Sequence, residues 1–257
     1  MEAGFGPVGP SERGAAAWWD AGAKEYYAEH GEFLGDAELT WCPEGLRESD
    51  AGLLGDIAGA RVLEVGCGAA QGSRWVAARG GNVIGLDISS GMLREGRRLN
   101  AASGIGAPLA QGDARALPFP DAVFDVAFSA FGALPFLPEL APAHAEVARV
   151  LRPGGRWVFS VVHPMRWCFT DEPADVTVSR SYFDPTPYAE REAGRLVYAE
   201  FPHTLAEHVN ALAGAGFRIE RAIEPAWPAD LAATWGAWGP ERGRLFPGTL
   251  ILASRKA

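Results

Sequence analysis

The 257-residue sequence predicts an α/β fold in which a seven-stranded, mostly parallel sheet carries helices on both faces. Three observations lead there. Short apolar runs alternate with helical runs between residues 55 and 162; a glycine turn, Gly66-Cys67-Gly68, follows the first of these strands; and an acidic residue, Asp87, closes the second. With 48% hydrophobic and 21% charged residues, the composition is that of a soluble globular chain. At this length it can bury a core without disulfide or metal staples.

The elements follow in order. Residues 1–13 are rich in Gly and Pro without periodicity and are expected to form a flexible arm. The rest, 14–257, reads as one domain. Within 14–50, a helix over Ala15–His30 and a second over Cys42–Ile57 make an N-terminal helical lid. The core, 55–162, opens with the strand RVLEV (Arg61–Val65), the glycine turn and a helix over Gly72–Arg79. The strand NVIGL (Asn82–Leu86) follows, then a helix to Asn100 capped by Ser89. Pro108–Ala110 is a weak third strand and FDVAFS (Phe124–Ser129) a fourth. A helix over Leu137–Leu151 and the turn Arg152-Pro153-Gly154-Gly155 lead into the fifth, Arg156–Val162. Five prolines interrupt residues 163–203, whose short alternating stretches Val176–Ser179 and Arg195–Ala199 predict an inserted cap. Residues 204–257 hold an amphipathic helix over Thr204–Gly214 and two last strands, Phe217–Ile223 and Thr249–Ser254.

A formal charge of −9 repels phosphate backbones and anionic lipid, so nucleic acid and membranes are not the expected partners. Cys42, Cys67 and Cys168 are odd in number and far apart, which predicts free thiols in a reducing, cytoplasmic setting. No His, Cys or carboxylate cluster has metal-ligand spacing. The expected partner is a small molecule, bound by a monomer or homodimer.

The glycine turn and the acid define a nucleotide-type site. Glycines let a ligand approach the backbone, the helix N-terminus offers free N–H groups, and Asp87 can take both hydroxyls of a ribose. A dinucleotide fingerprint would need glycine at position 71, which is Gln71. Four motifs in order, VLEVGCG, GLDIS, QGDARALPFPDAVFDVAFS and RVLRPGGRWVFS, resemble those of the class I S-adenosylmethionine-dependent methyltransferases over residues 60–162. HPMRW and FPHTLAEHVNALAGAGF resemble an actinobacterial small-molecule branch of that family. The resemblance implies a Rossmann-like core with S-adenosylmethionine as cofactor. It places Gly66 and Gly68 against the methionine part, Asp87 on the ribose, and Gly112, Asp113 and Ala114 around the adenine. It also places Ile88 and Met92 on adenine and ribose, and Ala130 and Phe131 beside the methyl end. The family's third glycine position is Ala70 here.

Other residues extend the site. His163, at the end of the fifth strand, is a candidate catalytic or substrate-orienting residue; the plainer reading has it cap the turn with Pro164. His144, His203 and His208 read as structural, with His208 directed away from a Leu205, Val209, Leu212 stripe. All five tyrosines and seven of the nine tryptophans lie outside residues 55–160, in the lid, the cap and the C-terminal segment that flank the core and must cover the donor. Aromatic faces exclude water and attract a sulfonium. Tyr27 and Trp41 are therefore candidates for touching the cofactor, and Tyr26, His30, Trp167, Tyr182 and Trp227 for the acceptor pocket. The function expected is methyl transfer by in-line displacement to a small organic acceptor, such as an indole or cyclic dipeptide. The alternatives are a non-catalytic cofactor-binding or sensor protein of the same fold and a nicotinamide-dependent oxidoreductase. The latter would lack a Tyr-x-x-x-Lys set, since the only lysines are Lys24 and Lys256.

Overall fold

The computed structural model describes residues 2–8 and 14–257. Of the arm expected over residues 1–13, Met1 and residues 9–13 lie outside the described residues. Glu2–Phe5 is a correction, because its backbone pairs as strand β1. The lid holds α1 (Gly14–Leu34) and only a short α2 (Glu48–Ala51). The longer helix expected over 42–57 does not form, because Gly45, Gly52 and Gly55 take φ of +86°, +59° and +75° and break a right-handed helix on both sides of α2.

The core follows as β2 (Arg61–Val65), α3 (Gln71–Ala78), β3 (Asn82–Asp87), α4 (Ser90–Ser103), β4 (Leu109–Gln111), β5 (Phe124–Ala130), α5 (Ala141–Val150) and β6 (Leu151–Val162). The cap contributes β7 (Tyr188–Glu192) and β8 (Arg195–Glu200). The chain ends through α6 (Leu205–Gly214), β9 (Phe217–Ile223), α7 (Pro240–Gly243) and β10 (Thr249–Lys256). Seven strands pair in the order β4-β3-β2-β5-β6-β10-β9, with β10 antiparallel to both its neighbours. The order reverses between β2 and β5, so successive crossovers leave in opposite directions and open a crevice at the carboxyl ends of the strands.

Strand alternation sorts the core into two layers. Leu63, Val65, Ala127, Trp157 and Phe159 pack with Val147 of α5 and Leu212 of α6. Val62, Val126, Phe128 and Val158 pack with Trp75 and Val76 of α3. The structure corrects the expected stripe of α6 in part: Leu212 is buried and Val209 half-buried as expected, but Leu205 is exposed and His208 is buried. A capping box between Thr204 and Glu207 fixes the start of this helix. The cap hairpin β7–β8 recruits β1 into a separate antiparallel sheet, β1-β7-β8. The stretch Val176–Ser179 forms no strand and leaves Val176 and Val178 exposed.

Two histidines sit inside the first layer. His144 accepts a hydrogen bond from Trp157 Nε1 at 3.1 Å, and burial lowers its pKa to about 4. Burial, helped by neighbouring imidazoles, lowers that of His208 to about 3. Both are neutral in the fold, whereas the unfolded chain protonates them below the ordinary value of 6.5. Their effect on stability is therefore absent above that pH and grows as a loss below it, down to the folded values. Urea unfolding followed across this range should give stability that falls with pH, and the slope should be shallower in His208→Leu; an unchanged slope would remove His208 from this account.

Candidate active site

The site is built on the turn after β2. The Gly66 and Cys67 N–H groups both donate to the Leu86 carbonyl, at 2.8 and 2.9 Å, which binds the turn to the end of β3. Gly66 has φ +72°, and a Cβ there would lie 2.8 Å from the Gly132 Cα and nearer still to the Ala133 nitrogen. Only glycine permits that approach. Ala70, at the family's third glycine position, keeps the left-handed conformation, with φ +65°, at the N-cap of α3. Asp87 locks the arrangement: Oδ2 accepts the Gly68 N–H and Oδ1 the Ser89 N–H, each at 2.8 Å. Burial raises its pKa while these backbone hydrogen bonds oppose the shift.

A second carboxylate fixes the lid. Asp20 of α1 accepts from the Gly91 N–H at 2.7 Å and the Ser89 hydroxyl at 2.7 Å, at the N-terminus of α4. An anion there is favoured by the helix dipole. Burial raises the Asp20 pKa, but these hydrogen bonds outweigh it and hold the carboxyl below its ordinary value. Gly91 lets the helices close, since a Cβ would sit 2.7 Å from the Asp20 Cα.

These elements enclose a cavity of about 1450 Å³. Its lining includes Gly66, Gly68, Asp87, Ile88, Met92, Gly112, Asp113, Ala114, Ala130 and Phe131, together with Tyr26, His30, Trp167 and Trp227. Four expected site residues are corrections. Trp41 is fully buried in the core, with Nε1 donating to Glu48 at 2.8 Å. Tyr27 turns to the other side of α1, where its hydroxyl donates to Asp36 and the Arg98 guanidinium lies over its ring. Tyr182 packs with Cys168 and Trp227 and accepts the Leu205 N–H at 2.8 Å. His163 caps the turn over Pro164–Cys168: Nδ1 accepts the Met165 N–H at 3.1 Å and Nε2 donates to Glu224 at 2.9 Å. Both ring nitrogens are thus engaged within the fold, and His163 is not among the residues that line the cavity.

Several lining residues were not legible in the sequence. Glu64 of β2 is 5% exposed and accepts from Ser73 Oγ at 2.5 Å; burial raises its pKa to about 7. Glu44 is buried at the mouth of β10 and accepts from Thr249 Oγ1 at 2.8 Å. Trp18, Trp19, Phe136 and Trp235 add aromatic wall. The cap hairpin brings Tyr188, Glu190, Tyr198 and Glu200, and Arg166 arrives paired with Asp171. The signal for the hairpin was its period-two alternation, visible only once both strands are placed.

Residues 62–155 match the family model described as "Methyltransferase domain". This segment, which holds the glycine turn and Asp87, is similar to methyltransferase domains. The chain is 39% identical over 111 residues to a fatty-acid O-methyltransferase of Mycolicibacterium smegmatis, covering 42% of this chain and 39% of that one. It is 33% identical over 144 residues to a demethylmenaquinone methyltransferase of Corynebacterium kroppenstedtii, covering 56% and 58%. The match thus spans from about two fifths to three fifths of these relatives' length. Among solved structures, an S-adenosylmethionine dependent methyltransferase of Mesorhizobium loti is 26% identical with a TM-score of 0.62, covering 80% of this chain and 95% of that one.

The residues that line this cavity fit S-adenosylmethionine, the cofactor named for that solved structure. Ile88 is 45% exposed in the cavity wall, an apolar side chain free to cover a base. Asp87 keeps lone pairs beyond its two backbone bonds, and Asp113 is held by the Arg115 guanidinium at 2.6 Å. Gly66 lets the turn close against the Gly132–Ala133 backbone, and all three residues line the cavity. Among the described residues, no three His, Cys, Asp or Glu side chains gather as a metal site.

Two substitutions separate structure from chemistry. His163→Ala should leave S-adenosylhomocysteine affinity unchanged in calorimetry while lowering unfolding stability by about 1–3 kcal/mol, the cost of a buried hydrogen-bonding group left unpaired. Weaker cofactor binding in that variant would return His163 to the site. Gly66→Ala should abolish the same binding, and retained affinity would contradict the close approach at this turn.

Proposed function

We propose that the chain transfers a methyl group from S-adenosylmethionine to a small aromatic acceptor. The observation that carries this reading is one continuous cavity, floored by Gly66, Asp87 and Asp113 and walled by Trp19, Tyr26 and Trp167. Donor residues and aromatic wall share one continuous cleft, which supports catalysis over a sensor that binds the cofactor alone. An indole or a cyclic dipeptide with an aromatic side chain suits these walls. The fatty acid and the demethylmenaquinone named for the two relatives belong to those proteins, and the aromatic lining supports an aromatic acceptor over an acyl chain.

When bound, the cofactor supplies an electrophilic methyl group on sulfur. Everything else falls to the chain's own side chains. Asp87 and Asp113 orient the nucleoside end, and Ile88 and Met92 cover it. Phe131, held at φ +50°, and Ala130 border the methyl end, where the β5 backbone ends. The rings of α1 meet edge to face in series, Trp18 with Trp19 at 4.6 Å and Trp19 with Tyr26 at 5.1 Å between centroids, giving a stiff apolar wall. Burial raises the Tyr26 pKa to about 12, so its phenol stays neutral. Alignment is the main demand of an in-line displacement, and this wall meets it without a nucleophile of the protein's own.

Asp87→Asn should weaken S-adenosylhomocysteine binding at least about tenfold, because the amide replaces an acceptor facing two N–H donors with one that matches them poorly. Incubation of the wild-type protein with labelled S-adenosylmethionine and a metabolite extract should label a small aromatic product. Cofactor binding with no labelled product in any fraction would favour the sensor reading.

A further inference from the structure

The cap hairpin carries a polar array that methyl transfer to a neutral ring does not need. Tyr188 and Glu190 alternate on β7, Tyr198 and Glu200 on β8, and the register sets Tyr188 opposite Glu200 and Glu190 opposite Tyr198. The result is a two-by-two lattice of phenols and carboxylates, and all four side chains line the cavity. Each phenol donates to the carboxylate two residues on, Tyr188 to Glu190 and Tyr198 to Glu200. One phenol satisfies one lone pair of a carboxylate that has about four.

Cations in the wall do not balance this charge. Among the described residues, the cavity is lined by Arg115 and Arg166 and no lysine. Arg115 is committed to Asp113 and Arg166 to Asp171. Glu190 and Glu200 face the acceptor space with no guanidinium hydrogen-bonded to either among the described residues; the Arg166 charge reaches Glu200, but burial outweighs it and raises the pKa of both. A separate observation at the other end of the cavity points the same way. Glu44 is only 6% exposed, yet its Oε1 has no hydrogen-bond partner and awaits a donor. The Trp167 ring stands 6.4 Å from that of Tyr188 at the edge of the lattice, and the Arg166 guanidinium over it, 5.4 Å from its centroid, shows that this face attracts positive charge.

We infer that the acceptor is an arylalkylamine, bound as its cation with the charged nitrogen on Glu190 and Glu200 and the ring among the cavity's aromatic side chains. The inference rests on the methyl-transfer reading of the same cavity. It sets a carboxylic acid acceptor aside, since an anion would meet Asp171, Glu190 and Glu200 where a cation would be held.

Three ligands of one shape test it: tryptamine, tryptophol and indole-3-propionate, cation, neutral and anion on the same two-carbon arm. Each is titrated by calorimetry into the full chain saturated with S-adenosylhomocysteine, whose own binding is recorded first. Tryptamine should bind at least about tenfold more tightly than tryptophol, with indole-3-propionate weakest. Glu190→Gln with Glu200→Gln should erase the preference for the amine and leave S-adenosylhomocysteine binding and thermal unfolding as in the wild type. Equal binding of amine and acid, no binding of the amine, or a preference that survives the double substitution overturns the inference. Absent cofactor binding would instead count against the methyl-transfer reading, so the two failures are distinct.

Discussion

The close approach of two backbones at the edge of the sheet sets the rest of the structure. β2 and β5 lie side by side, and the chain leaves them in opposite directions; the turn after β2 must pass the segment after β5 with no side chain between them. Gly66 makes this possible by lacking a Cβ and by holding φ at +72°. Once that contact is made, Gly68 falls within reach of Asp87, and the end of β3 is tied to the turn. Asp87 then presents Ser89, which begins α4, and α4 receives Asp20 of the lid. A chain of short hydrogen bonds thus runs from the sheet edge to the helix that covers it.

Two halves with different physics result. The donor half is made of backbone, glycine and isolated carboxylates, each held by amides or a guanidinium, so its geometry is set by the sheet. The acceptor half is made of rings and hairpin side chains from α1 and the cap, elements joined to the core by packing and not by the main ladder. Such parts can change their side chains without disturbing the strand order. The aromatic-poor middle of the sequence and its aromatic flanks are the compositional trace of this division.

The part of the cavity proposed for the donor was legible in the sequence because its residues are locally placed. Gly66, Gly68, Asp87, Asp113 and Phe131 lie at or within three residues of strand ends, which apolar runs locate, and the family resemblance singled them out there. The lid was not legible at the same level. A helix with Tyr26 and Tyr27 adjacent turns them about 100° apart, so one ring enters the cavity and the other meets Arg98 on the outside. Trp41 looked like lid and proved to be core, since Glu48, seven residues on, takes its indole N–H. Positive φ at Gly45, Gly52 and Gly55 cut short a helix that side-chain periodicity alone supported. His163 lay at the correct strand end but pointed to Glu224, a residue sixty-one positions away that no local pattern relates to it.

A crystal structure of the chain grown with S-adenosylhomocysteine would test the central claim most directly. The account requires the ribose hydroxyls within hydrogen-bonding distance of Asp87, the adenine between Ile88 and Ala114 with its amino group at Asp113, and the sulfur at the Phe131 end of the cavity. A ligand bound elsewhere, or one in this cavity with its nucleoside turned toward the β7–β8 hairpin, would contradict it.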